Sequence, residues 1–258
     1  LNNNLTVGGT INAANFKQEG TNFTDSILIG HNTTGTLNAA ERNTAVGIGS
    51  LAAITSGDNN STLGFNSLTS NTTGNWNTAV GAYALTSNTT GTYNTAIGAC
   101  ALTSNTTAVS NTAIGTYALY ANTIGYNNSS VGRSALQSNT TGINNTAVGA
   151  YALCANTTGQ CNVAIGRQSL NLNTSGSYNT AIGTDSLKAN TTGINNTAVG
   201  NSALCVNTTG VRNVAIGAES LNANTVGKYN TSIGTCAMRA NITGQENTVL
   251  GGLALDAS

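Results

Sequence analysis

The stretch Asn77 to Tyr93 reads NTAVGAYALTSNTTGTY, and the chain keeps repeating it. Copies begin every seventeen residues from Asn94 to Asn247, and the same register runs backwards through Asn60 and Asn43 to a degenerate unit at Ser26. Between Asn43 and Asn247 no residue is inserted or deleted. A period held this strictly marks a repeat architecture, in which a unit buries its apolar side chains against the next unit. With each unit numbered from its Asn, position 3 is small and mostly Ala, position 4 is Val, Ile or Leu, and position 5 is Gly. Position 8 is Ala or Ser, and position 9 is Leu in every unit but the one with Met238. Positions 12 to 15 read N-T-T-G or a near relative in most units, with Ala108 the only replacement of that last Gly between Gly57 and Gly244.

These characters predict the shape of one unit. NTAVG reads as a short strand, with Thr78 and Val80 on one face and Ala79 and Gly81 on the other. A second short extended piece is expected at Ala84 and Leu85, and NTTG suits a turn, where Asn and Gly are the favoured residues. Helix is excluded by two glycines per unit, several β-branched residues and an apolar spacing that fits no 3.6 period. The absence of Pro suits a backbone committed to inter-strand ladders. The expected fold is all-β: a parallel β-roll or β-solenoid of seventeen-residue coils stacked about 4.8 Å apart, a rod roughly 60 Å long. The Val/Ile and Leu columns are expected to form its core, and the Asn and Thr columns to hydrogen-bond along the stack. Residues 1–25 read as an N-terminal strand and connector segment, with weak alternation over Leu1 to Ala13 and a polar connector over Asn15 to Ser26. Residues 26–258 read as the solenoid, about thirteen repeats plus a partial last coil.

Two bulky apolar side chains per seventeen residues make a thin core. Full burial of each contributes roughly 1.5–3 kcal/mol, while ordering the backbone of each residue costs about 1–2 kcal/mol. The Ala79/Gly81 face would let another chain approach closely, so a side-by-side, parallel homotrimer is expected.

Composition narrows the function. Charged residues are 6% of the chain, net charge is zero, and there are 31 Gly and no Pro. No basic patch is present to neutralise phosphates, which argues against nucleic acid. No apolar run approaches the roughly 18 residues of a membrane span, and no signal peptide is visible. The five cysteines (Cys100, Cys154, Cys161, Cys205, Cys236) fall at scattered positions rather than in a disulfide framework, which favours assembly in a reducing compartment. Without a CxxC pair, and with His31 the only histidine, no metal site or cofactor is expected.

The motif NVAIG at Asn162 to Gly166 and Asn213 to Gly217, with its relatives NTAIG and NTAVG, resembles the head repeats of trimeric autotransporter adhesins. That repeat is about three residues shorter, and the extra length here falls in the AL-x-x-NTTG part. The longer NTAVGxxALxxNTTG array resembles the repeat shafts of phage and viral tail-fibre-like proteins, as does the opening NLTVGGTINA (Asn4 to Ala13). The resemblance implies a trimeric β-roll and a structural shaft or spacer segment of a tail fibre involved in host attachment. Its place would be the virion surface, with other fibre or virion proteins and host surface glycans as partners. A bacterial surface adhesin stalk or head, at the cell surface, is the alternative, and an ice-binding solenoid presenting Thr columns a second one. No enzyme is expected.

Candidate contact residues are few. Tyr83, Tyr117 and Tyr151 share position 7, two units apart, and could form an aromatic stripe for sugar rings; packing is the plainer reading. N-x-S/T sequons occur at Asn71, Asn88, Asn105, Asn139, Asn156, Asn173, Asn190, Asn207 and Asn241. They read either as glycan acceptors or as an Asn/Thr ladder, since Asn122 and Asn224 keep the Asn without the sequon. Asp185 and Glu219 share position 7 two units apart, the far limit for a paired-carboxylate hydrolase, and read better as solvated surface. The units from Asn145, Asn162 and Asn179 match those from Asn196, Asn213 and Asn230, a block of 51 residues that points to a length-adjustable spacer.

Overall fold

The structure is a computed structural model that describes residues 16–20, 23–29 and 40–256. Leu1 to Ala13 and His31 lie outside the described residues. The described chain is a parallel β-solenoid with no helix: twelve complete seventeen-residue coils from Asn43 to Glu246 and a partial coil after Asn247. Each coil contributes one three-residue strand, from β4 (Thr44–Val46) through β6 (Thr78–Val80) and β10 (Thr146–Val148) to β16 (Thr248–Leu250). Every one pairs in parallel with the next in unbroken register, so Thr146 stands beside Val163, Ala147 beside Ala164 and Val148 beside Ile165. Constant register follows from constant coil length, because one residue of slip would turn every side chain to the opposite face.

At the N-terminal end the expected connector is instead paired backbone. β1 (Phe16–Gly20) and β2 (Phe23–Ile29) form an antiparallel pair with an irregularity between Gln18 and Gly20. β2 then runs parallel to β4 and to the short β3 (Ala40–Glu41). Asn15 to Ser26 reads as polar, yet within it residues 16–20 and 23–26 join the sheet through their backbone, because a sheet edge left unpaired exposes a row of donors and acceptors.

The interior corrects half of the expected core. Leu85 and its equivalents are fully buried, as expected. In the strands, however, Ala79, Ala96, Ala113 and the other position-3 residues are the buried ones, while Ile97, Ile114 and Ile165 stand 38–39% exposed. The predicted alternation is present, but its sense is reversed: Val80 faces outward and Ala79 inward. Ala79 and Gly81 therefore offer no close-approach surface to another chain. The second extended piece is likewise replaced by a turn. Tyr83 and Leu85 both take left-handed backbone, with φ of 59° and 52°. Left-handed backbone at an L-residue is uncommon, and here it recurs coil after coil, held by neighbours above and below. The Leu85 amide donates to Ala101 O at 3.0 Å and the Asn88 amide to Leu85 O at 3.1 Å.

Two asparagine ladders complete the core. Asn94 donates from its backbone N and from Nδ2 to Asn77 Oδ1, at 3.1 and 3.2 Å, and its Nδ2 also reaches the carbonyl of Ala108 at 2.8 Å. Asn88 Nδ2 donates to Asn71 Oδ1 at 2.9 Å and to Gly91 O at 3.1 Å. Gly91 O also accepts Asn77 Nδ2 at 2.8 Å, so the two ladders meet on one carbonyl in each coil after the first. These buried amides find their partners in the adjacent coil, which is the condition for burying a polar group at acceptable cost. In the first coil Ile54, fully buried, stands at the position the later coils give to Asn, and the second ladder starts beneath it at Asn71.

The two glycines of each coil have different reasons. Gly81 sits at φ +129°, where a Cβ is strained, and a Cβ there would lie 2.6 Å from Gly98 O. Gly91 has ordinary φ, but a Cβ would run into Asn88 Oδ1 and Ala108 O. Close approach, not turn geometry, favours Gly here, and the coil of Ala108 is the one that carries a Cβ at this position.

Candidate functional site

The outward strand positions form a regular surface along the rod. Positions 2 and 4 of β4 to β16 line one sheet face, a Thr-rich column beside an aliphatic column. The aliphatic column is half-exposed along the middle coils, with Val131, Val148, Ile182 and Ile216 at 38–39%. No charged residue occurs at positions 2 to 4 of any coil from Thr44 to Leu250. The two threonine columns differ. At position 13, Thr89 Oγ1 donates to Thr106 O at 3.2 Å, and Thr157 Oγ1 to Thr174 O at 3.0 Å, so these hydroxyls are tied into the stack. At position 2, the hydroxyls of Thr78, Thr95, Thr112, Thr146, Thr180 and Thr197 have no hydrogen-bond partner within the chain among the described residues. In four coils, Trp76, Tyr93, Tyr178 and Tyr229 at position 17 add exposed aromatics, in a column that also holds Arg212 and Glu246.

The three candidate tyrosines do share one outer column. Tyr83 and Tyr117 are exposed and Tyr151 is half-buried. Each has a different companion: Phe65 meets Tyr83 edge-on at 5.3 Å, Tyr120 meets Tyr117 edge-on at 5.6 Å, and the Arg133 guanidinium lies over Tyr151 at 4.6 Å. Between them the column holds Cys100 and Ser134, so the rings do not form one continuous aromatic platform.

The sequon asparagines are placed inside. Asn71, Asn88, Asn105, Asn139, Asn156, Asn173, Asn190 and Asn207 are fully buried, and Asn241 is partly buried in the last complete coil. Asn156 Nδ2, for example, is engaged by Asn139 Oδ1 at 2.8 Å and Gly159 O at 3.0 Å. A glycan on that nitrogen would replace one of its two N–H donors, breaking one of these bonds, and would have to fit within the buried interior of the coil. The structure thus takes the ladder reading over the acceptor reading. The usable signal was already in the repeat: Asn122 and Asn224 remain Asn where the sequon is lost, and both carry the ladder.

Charged groups sit in scattered pairs on other columns. Asp185 lies between Lys188 at 3.2 Å and Arg167 at 3.9 Å, and Glu219 pairs with Arg239 at 3.2 Å. Each carboxylate is engaged by its own cation, and Ser202 separates them in the column. All five cysteines are free and half-buried. Burial pushes the Cys154 thiol above its ordinary value. For Cys205 burial acts in the same direction first, reinforced by Asp185 and opposed by Lys188. Among the described residues no group of three or more His, Cys, Asp or Glu could hold a metal ion, and no helix is long and apolar enough to cross a membrane. A shallow hollow of about 250 Å³ lies on the last coil between Met238, Asn241, Asn247 and Leu255.

No protein-family model, curated protein or solved structure matches the chain.

Proposed function

We propose that the chain is a structural shaft or spacer: a segment of a viral or phage tail fibre involved in host attachment, built as parallel, side-by-side homotrimeric rods at the virion surface. The observation that carries this reading is the uniformity of the rod. Coil after coil repeats the same buried set of two Asn, two small residues, one Leu and one Gly, and the backbone ladder keeps its register from β4 to β16. Such a design adds length without adding a new site, as expected of a quasi-one-dimensional solenoid whose units contact only their neighbours. Other fibre or virion proteins would join the ends, and any host glycan would meet variable outer positions such as Tyr83 and Tyr117. The stalk of a bacterial adhesin would use the same geometry on a cell surface.

Duplicating residues 145–195, three whole coils, tests the spacer reading. The rod measured by small-angle scattering should lengthen by about 14 Å, three strand spacings, with an unchanged cross-section and a thermal midpoint no lower than the parent's. A chain that unfolds, or thickens instead of lengthening, would sink the proposal.

A further inference from the structure

Resting on the reading of associated rods, we infer that copies of this chain meet through the outward Thr/aliphatic face of β4 to β16, in parallel and in axial register. Three observations converge there. The aliphatic column is long: at about two-fifths exposure in the middle coils, its thirteen members offer on the order of 800 Å² per chain, the per-partner area of a standard stable interface. The same area exceeds the roughly 300–600 Å² of the largest apolar patch on a typical monomer. Its strand positions 2 to 4 are free of charge along the whole length, matching the depletion of charged residues at interface centres, and the flanking column, which holds charge at Arg212 and Glu246, supplies in Trp76, Tyr93 and Tyr178 the aromatics that such interfaces favour.

Periodicity selects the occupant. The column repeats once per coil, about 4.8 Å along the rod, and the unpartnered threonine hydroxyls repeat with it. A second copy presents the same spacing, so each aliphatic side chain finds an equivalent gap and each hydroxyl finds a hydroxyl or carbonyl at its own level. A partner without that repeat would satisfy one level and miss the next. With zero net charge, parallel copies also meet no overall electrostatic repulsion. The interior supplies the need: each complete coil after the first buries only one large side chain, at position 9, and covering the outer column adds a second.

The test uses the full chain and the mass in solution, against a protomer of 25.8 kDa. The triple variant Ile114→Lys, Ile165→Lys, Ile216→Lys is expected to sediment as a monomer with an unchanged β-type circular dichroism spectrum. The control Thr90→Lys, Thr141→Lys, Thr192→Lys, at exposed turn positions, should keep the parent's mass. Should the lysine triple fail to fold, the milder Ile→Thr triple at the same sites should raise the dissociation constant at least 100-fold. An associated parent whose Ile triples both stay associated overturns the assigned face and leaves the associated-rod reading standing. A monomeric parent overturns both, and thermal hysteresis in that monomer would assign the face to ice instead.

Discussion

Each coil holds two segments of similar composition that behave oppositely. Asn145 to Val148 and Ala152 to Asn156 each carry an Asn, an Ala and a large aliphatic residue. In the strand, Asn145 and Ala147 point inward and Val148 outward; in the turn, Ala152, Leu153 and Asn156 all point inward. The strand alternates because successive side chains of extended backbone face opposite sides. The turn escapes alternation because Leu153 takes φ 49°, which lets adjacent residues share one side. Leu153 then occupies the width of the coil, and the facing strand position is Ala or Ser in every coil but two, where Thr62 and Val249 stand buried. Where Ser replaces Ala the hydroxyl is paired, as in Ser130 Oγ to Ala135 O at 2.8 Å and Ser232 Oγ to Ala237 O at 2.8 Å.

The sharpest way to break this comparison is to truncate the two aliphatic residues separately. Leu153→Ala should cost about 2–5 kcal/mol in denaturant unfolding, while Val148→Ala, outside the coil, should cost under about 1 kcal/mol in an unassociated rod. Equal losses would show that the strand face was misassigned. The asparagines sharpen the contrast at the next scale. Asn145→Ala removes a donor to Asn128 Oδ1 and Gly159 O and the acceptor of two Asn162 N–H groups. Asn156→Ala removes two donor bonds and one acceptor. The expected losses are about 4 and about 3 kcal/mol, given roughly 1 kcal/mol per bond. Ala147→Val tests the width of the interior and should lower stability by about 1–3 kcal/mol through overpacking.

The smallest effect concerns Ala108, the one coil that carries a Cβ where the others have Gly. The ladder is longer there, Asn122 to Asn105 at 3.1 Å against 2.8 Å for Asn139 to Asn122. Ala108→Gly should restore the shorter spacing. Its effect on the unfolding free energy should be within about ±0.5 kcal/mol, because the gain opposes the greater entropy of Gly in the unfolded chain.

Thiol titration gives a pH test of the same burial. Cys154 and Cys205 have raised folded values, so their contribution to stability is present below the unfolded thiol value of 9.0 and is lost as pH rises through the folded value. Stability should therefore fall above about pH 9, and Cys154→Ser should reduce that fall.

Much of the molecule was legible in the repeat. A period without insertions implies stacked coils, TAV and TAI triplets implied the strands, and identical units imply parallel pairing in register. The Leu column was legible as core because a Leu recurring among small residues has few other places to go. The tyrosine column was legible as outward. Asn71 and its equivalents were legible only as alternatives, since a sequon and a ladder share the same letters.

The sequence by itself determined the coil length, the strand positions and the parity of the strand, which puts Thr78 with Val80 and Asn77 with Ala79. It did not determine which parity faces inward, because a period of two is symmetric between the faces of a sheet. Tertiary structure broke that symmetry. Leu85 enters the coil from the turn, the two Asn ladders need the dry interior and the shared carbonyl of Gly91, and the small Ala79 rather than Val80 fills the width that remains. The bulky β-branched residue was therefore left outside, on the face where the copies are inferred to meet.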